Sequence, residues 1–159
     1  MRAASAIDQA NLLVRHLGDQ VGIPSLCLDE RSTCVLLVAR RWLLTLWLDA
    51  AHDTLYLSIP ITTPEQAEQV PVGAWLALLQ MQHLGGNVHG ATVSVDPKGQ
   101  ICVQQALYLP PAVPADLVSA AELLLGRAGQ WVEKIAQIQE ASPLQAAAAP
   151  PSRLHHARI

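Results

Sequence analysis

Residues 34–61 read CVLLVARRWLLTLWLDAAHDTLYLSIPI, and this stretch decides the fold of the chain. Charged or small turn residues divide it into apolar runs, which predict strands at 33–39, 42–49 and 54–60. An antiparallel strand with one wet face alternates apolar and polar residues, whereas leucines here occupy both faces. One face can pack on the protein's own helices, so the other must be covered by a second subunit, another protein or a ligand. The pattern favours a binding module.

The composition favours an oligomeric protein of one domain. The chain has 159 residues, of which 51% are hydrophobic and only 14% are charged, against about 25% charged in an average domain. A net charge of -3 argues against a nucleic-acid partner, which requires a basic patch. No apolar run reaches the roughly 20 residues of a membrane span, and the first residues lack the apolar core of a signal peptide. We therefore expect a cytosolic protein whose three cysteines are thiols.

The segment before this stretch predicts a helix and one more strand. Apolar residues at helical spacing predict a helix over 5–17, with Gly18 and the Gly22-Ile23-Pro24 turn ending it. A short strand is expected at 25–29, followed by a turn at Glu30-Arg31.

Two further helices and a hairpin are expected after the stretch. Thr63, Pro64 and Gln66 form a helix start with a capping box, and Pro71 must interrupt or restart that helix, whose main part is 72–84. The turn Asp96-Pro97-Lys98-Gly99 joins strands at 91–96 and 100–108. An apolar stripe of alternating steps of four and three predicts the last helix over 115–139.

These elements predict an α+β fold in which a twisted antiparallel sheet of five to six strands packs with three helices, in the order α-βββ(β)-α-ββ-α. Residues 1–139 are expected to form the single domain. Residues 140–159 are rich in Ala and Pro and lack an apolar period, which predicts a mobile tail.

The sequence offers no catalytic, cofactor-binding or metal-binding set. It contains no nucleophile elbow, phosphate loop, dinucleotide-binding glycine motif or HExxH metal motif. Cys27 and Cys34 are seven positions apart, too far for a zinc signature, and His83 and His89 flank a glycine-rich loop without a third ligand. We therefore expect a protein that is not an enzyme and uses no cofactor. A small-ligand-binding α+β protein and a small enzyme without a recognisable motif are the alternatives.

Four stretches resemble the CesT/SycE-like family of class I type III secretion chaperones, and one of them, residues 75–84, stands where the family has its middle helix. LLVRHLGDQVGIPSLCLDERSTCVLLV, residues 12–38, resembles the amphipathic helix, turn and apolar strand with which the family opens. VSVDPKGQICV, residues 93–103, resembles its late hairpin, and LLLGRAGQWVEKI, residues 123–135, resembles its final helix. The resemblance covers about residues 4–138, and the proline-rich connector and the tail depart from it.

This resemblance implies a cytoplasmic bacterial homodimer that acts as a chaperone. Such a protein holds the N-terminal segment of one or more type III secreted effectors in an extended, export-competent form. The effector segment adds a strand to an exposed sheet edge and sets apolar side chains in grooves. The resemblance also makes the secretion apparatus ATPase a further candidate partner, with no nucleic acid and no membrane span involved.

The candidate contact residues follow from the two-sided strands and from the middle helix. The candidate effector-binding residues are Leu36, Val38, Trp42, Leu44 and Leu46. The candidate dimer contacts are Trp75, Leu76 and Leu79, on the helix that the resemblance places at the subunit interface. Alternation along a strand divides the effector-binding set between two faces, and the sequence leaves open which face points outward.

Overall fold

A computed structural model of the chain describes residues 5–82 and 90–141. Within these ranges it contains four helices and a sheet of five strands, which confirms the predicted α+β class. The helices are α1 Ala6–Val21, α2 Pro64–Glu68, α3 Val72–Met81 and α4 Pro114–Ala141. The strands are β1 Thr33–Val38, β2 Trp42–Asp49, β3 Thr54–Pro60, β4 Ala91–Val95 and β5 Ile101–Tyr108.

The sheet is antiparallel throughout and has the order β1-β2-β3-β5-β4, which leaves β1 and β4 at its edges. One face carries alternate leucines and isoleucines of the central strands, and helices α1 and α4 supply the residues that bury them. The predicted stripe of α4 lies in this core, with Leu117, Leu124, Trp131 and Ile135 buried. Helix α4 contacts β3, β5 and α1, so it is the main cover of this face.

Helix α1 is longer than the sequence predicts. Ser5 caps its start in a reciprocal arrangement with Asp8, and Gly22 ends it with a left-handed backbone at φ 74°. Gly18 therefore does not end the helix. A Cβ atom at Gly18 would lie 2.5 Å from the Ile23 carbonyl oxygen and 2.6 Å from the Leu26 Cβ, so glycine serves here for close packing.

The strand predicted at 25–29 is wrong, because this segment is irregular. The Leu28 N–H donates to the side-chain oxygen of Asn11 on α1 at 2.9 Å, which ties the segment to the helix. The carboxylate of Asp29 then accepts from the N–H groups of Arg31 and Thr33. These side-chain bonds replace a strand ladder, and Ser25 adopts a left-handed φ of 68° that an extended strand would not allow.

The remaining elements match the predicted pattern closely. Thr63 and Gln66 form the capping box of α2, and Pro71 separates α2 from α3, so the predicted middle helix is divided in two. The turn after β4 places Gly99 at φ 84°, with its N–H donating to the Asp96 carbonyl at 2.9 Å.

Some predictions fall outside the described residues. These are the loop with His83 and His89, the end of the predicted 72–84 helix, and the tail from residue 142 onward. The expected division into one domain and a tail stays a prediction.

Candidate functional site

Both faces of the β1–β2 hairpin are apolar, as its sequence requires. Leu36, Leu44 and Leu46 point inward and are buried. The opposite side carries an outer patch, defined as the four residues Val35, Leu37, Leu43 and Trp47, which are 58, 62, 48 and 47% exposed. The ring of Trp47 stacks on Tyr56 of β3, with 5.3 Å between the ring centroids. The hairpin therefore has one face in the core and one in solvent.

On the helix side, a groove runs beside the edge strand β1. This edge groove has a volume of about 190 Å³. Strands β1 and β2 form its floor, and the end of α1 and the first half of α4 form its walls. The groove is lined by Leu17, Gln20, Val21, Leu36, Val38, Leu44, Val118, Ala121, Glu122 and Leu125. In the described part of the chain β1 pairs with no strand other than β2, so its other edge faces this groove. Thr33 at the start of that edge is bonded to Asp29 through both its N–H and its C=O, and the edge beyond it is available for pairing.

A second groove lies at the end of the sheet, between α2 and the last turns of α4. This end groove consists of two cavities of about 310 and 290 Å³ that share Ile61, Thr62, Gln66 and Val132. Trp42 lines it, and the guanidinium of Arg41 lies 4.4 Å from the centroid of the Trp42 ring. Val38 and Trp42 are cross-strand partners, so the two grooves approach each other at the tip of the hairpin.

The predicted division of the effector-binding residues between two faces is wrong, because the register places all five on the helix side of the sheet, where they fall in three environments. Leu36, Val38 and Leu44 line the edge groove, and Trp42 lines the end groove. Leu46 is fully buried, so it belongs to the core and presents no surface to a partner. A contact of the other four residues with a partner stays a prediction.

Sequence reasoning missed the helical walls of the edge groove and the membership of the outer patch. Val21, Val118 and Leu125 are apolar positions on α1 and α4 that flank the core stripe, and the stripe alone does not distinguish flank from core. Strict alternation along β1 could have separated Val35 and Leu37 from Leu36, but it could not say which set is outside.

Helix α3 presents an apolar stripe to solvent. Val72, Leu76 and Leu79 are spaced four and three residues apart and are all exposed, whereas Ala74 and Leu78 are buried. Of the three predicted dimer contacts, Leu76 and Leu79 lie on this stripe, and Trp75 is half-buried against the core. Val72 was not in the predicted set, although its position four residues before Leu76 is a signal for it.

Glu122 lines the edge groove and Arg41 lines the end groove, and the groups with shifted pKa values lie elsewhere. Burial raises the pKa of the Cys34 thiol, and the charges of Cys27 and Asp29 add to the effect. Burial likewise raises the pKa of Cys102. In an exposed turn, His52 Nδ1 lies 2.8 Å from Asp49 Oδ2, and this hydrogen bond lowers the pKa of the Asp49 carboxyl. The described ranges contain no group of three side chains that could hold a metal ion.

Among the described helices, none combines the length and the apolar character that crossing a membrane requires.

Comparison with known families gives one match that covers most of the chain. The Tir chaperone protein (CesT) family matches residues 12–132, from the middle of α1 to the last third of α4. Comparison with curated proteins gives no match.

Solved structures share the fold at low sequence identity. A chain of the ExsC–ExsE complex superposes with a TM-score of 0.72 at 19% identity, covering 82% of this chain and 96% of that one. A chain of the HopA1–SchA chaperone–effector complex gives a TM-score of 0.62 at 21% identity, with 80% and 98% covered. A chain of the heterodimeric ExoU–SpcU complex from the type III secretion system of Pseudomonas aeruginosa gives 0.57 at 17%, with 74% and 93% covered.

Proposed function

We propose that this chain, which belongs to the Tir chaperone protein (CesT) family, binds an N-terminal segment of one or more type III secreted effectors and keeps it extended for export. The same proposal places the protein in the bacterial cytoplasm, where effectors wait before secretion. A secretion apparatus ATPase is a further partner in this proposal, because it is the component that would receive the effector.

The observation that carries the proposal is the edge groove beside the free edge of β1. An extended segment can hydrogen-bond with the free edge of β1 while its inward side chains enter the groove. Apolar residues of β1, α1 and α4 line that groove, so apolar effector side chains fit it. Each Val or Leu side chain buried there contributes about 1.5–3 kcal/mol, so the loss of one should weaken binding roughly tenfold or more.

An extended client also explains why the site needs no reacting group. The backbone edge recognises any polypeptide, and the spacing of apolar side chains selects the segment. The bound segment cannot fold on itself while its backbone pairs with β1, which is the physical meaning of an export-competent state.

The second part of the proposal is a homodimer formed through the α3 stripe. Val72, Leu76 and Leu79 are exposed on one side of a helix whose other side is in the core. A homodimer would cover these residues with their counterparts, since a two-fold contact uses the same patch twice. Two edge grooves would then be available to a single long effector segment.

The proposal is tested with an effector encoded by the same bacterium. The chain and the effector's N-terminal segment are co-expressed, purified as a complex, and digested briefly with a nonspecific protease. We expect a protected effector fragment that is absent without the chaperone, and amide exchange that slows in β1 on binding. A complex in which β1 exchanges as in the free protein would contradict binding at this edge. A small molecule retained in native mass spectrometry, with no effector bound, would favour the ligand-binding alternative.

A further inference from the structure

The outer patch lies on the face of the sheet opposite to the helices, so a segment paired with β1 would reach only its margin at Val35 and Leu37 and would leave Leu43 and Trp47 of β2 uncovered. Its residues form three rows across the hairpin, and in the two outer rows Leu37 pairs with Leu43 and Trp47 lies opposite Thr33. The row between them is Val35 with Thr45. Further across the same face the middle row continues with the polar Ser58, Gln104 and Thr92, whereas the Trp47 row continues with Tyr56 and Ala106. The exposed apolar patch is therefore centred on β1 and β2, and Tyr56 of β3 extends its Trp47 row.

Opposite charges flank the two ends of the patch. The β1–β2 turn carries Arg40 and Arg41, both exposed. At the other end carboxylates outnumber the one arginine: the exposed Glu30 and Arg31 precede β1, and two aspartates, Asp49 and Asp53, lie at the β2–β3 turn. The hairpin therefore has a basic end and an acidic end, with the apolar rows between them.

We infer that the outer patch packs face to face against the same patch of a second copy of this chain. The two-fold axis would cross the strands at the row of Val35 and Thr45. Such an axis reverses the strand direction, so the row with Trp47 lies over the row with Leu37 and Leu43 of the second copy. The basic end of each hairpin then faces the acidic end of the other.

Two features favour a second copy over an unrelated partner. The patch is complementary to itself in size. Trp47, its largest side chain, would pack against the Leu37 and Leu43 row of the second copy, and the small Thr33 beside Trp47 would leave room for those leucines. The patch is also complementary to itself in charge, because the same rotation places Arg40 opposite Glu30. An unrelated partner would have to match both patterns independently.

This contact is separate from the proposed effector groove and from the α3 stripe. Together with an α3 contact it would join two dimers into a four-copy assembly. The exposed apolar area of four side chains is smaller than a standard stable interface, so the assembly should depend on concentration in the micromolar range or above.

The test measures the mass of the full chain by light scattering over a concentration series. In a variant that carries Leu76→Glu and Leu79→Glu to weaken the α3 contact, we expect self-association to persist at high concentration. Adding Leu37→Asp to that variant should abolish it, whereas adding Leu12→Asp, on the exposed side of α1, should not. Effector binding at the edge groove should survive Leu37→Asp, which separates this test from that of the proposed function.

Charge reversal gives a second, more specific test. Arg40→Glu alone and Glu30→Arg alone should each weaken the contact at least tenfold, because like charges then face each other at both ends. An equimolar mixture of the two single variants should restore association, because every facing pair is again of opposite sign. Failure of the mixture to associate would overturn the two-fold arrangement. The contact itself would be refuted if adding Leu37→Asp left the mass of the Leu76→Glu, Leu79→Glu variant unchanged at high concentration. It would also be refuted if Leu37→Asp abolished effector binding.

Discussion

Leu36 and Leu37 are neighbours on the edge strand β1, yet Leu36 is 6% exposed and Leu37 is 62% exposed. The side chains of successive strand residues point to opposite faces, so one leucine reaches the core and the edge groove while the other reaches the outer patch. A single strand thus supplies both surfaces for which the structure suggests partners. The two leucines also provide a matched pair of substitutions.

We expect Leu36→Asp to destabilise the fold strongly and Leu37→Asp to leave it nearly unchanged. The first change places an unpaired carboxylate in the core and should cost about 3 kcal/mol or more. The second change is in solvent and should alter the free energy of unfolding by about 0.5 kcal/mol or less. Urea denaturation followed by circular dichroism measures both values. Equal effects of the two substitutions would mean that the faces of β1 are assigned incorrectly.

We expect Leu76→Glu combined with Leu79→Glu to convert a dimer to a monomer at low micromolar concentration. The two charges would lie in the centre of the α3 stripe, where a symmetric contact brings them against their counterparts. The stability of the monomer should change little, since both residues are exposed in the single chain. Light scattering gives the mass, and Leu12→Glu on α1 is the control. A wild-type protein that is monomeric at this concentration would refute the dimer.

The sequence predicts the elements that depend on neighbouring residues better than those that depend on contacts between residues far apart in the chain. The strands from residue 33 to residue 60 are predicted to within one residue, because alternating leucines and short turns are local signals. The false strand at 25–29 has an apolar pattern, and its competitor is the bond from Leu28 to Asn11, which joins distant parts of the chain. Likewise, a glycine at position 18 indicates a helix end when only its sequence neighbours are considered. The contact that explains this glycine is with Leu26, eight residues away, and a local pattern does not reveal it.

The candidate site is predicted only in part for the same reason. The hairpin is recognisable as a two-sided apolar element, and four of its five candidate residues do line a groove. Which face is covered depends on where α1 and α4 dock, and local periodicity contains no information about that. Leu46 lies in the core because it is in the central row beneath these helices, paired with Cys34 and Leu57.

Gly18→Ala should destabilise the protein even though alanine is the better helix former. The new methyl group would lie within 3 Å of both the Ile23 carbonyl oxygen and the Leu26 Cβ, so the turn after α1 would have to move. Gly126→Ala on α4 is the matched control, because no atom outside its own helix lies within 4 Å of the added Cβ. That change should stabilise the protein by up to about 1 kcal/mol. Melting temperatures that rise in both variants would contradict the close packing at Gly18.

The three cysteines should react with a thiol reagent at different rates. Cys27 is exposed, whereas Cys34 and Cys102 are buried, and burial raises the pKa of both buried thiols. A raised pKa means less thiolate at neutral pH, so Cys34 should label slowly and accelerate only at a higher pH than an ordinary cysteine. Iodoacetamide labelling followed by peptide mass spectrometry measures each site. The difference should vanish in guanidinium chloride, and rapid labelling of Cys34 in the native protein would contradict its burial.

Val38→Asp should weaken effector binding at least tenfold while leaving the fold intact. Val38 is half-buried at the end of β1, where it lines the edge groove next to the free strand edge. A carboxylate there removes one apolar contact, worth about 1.5 kcal/mol or more, and must be desolvated when an apolar side chain enters the groove. Val38→Ala should retain more affinity than Val38→Asp, because it loses contact area without adding a charge. Calorimetric titration with the purified effector segment gives the affinities, and circular dichroism confirms the fold. If Val38→Asp binds as tightly as the wild type, the effector does not enter the edge groove, and Trp42 in the end groove becomes the next position to test.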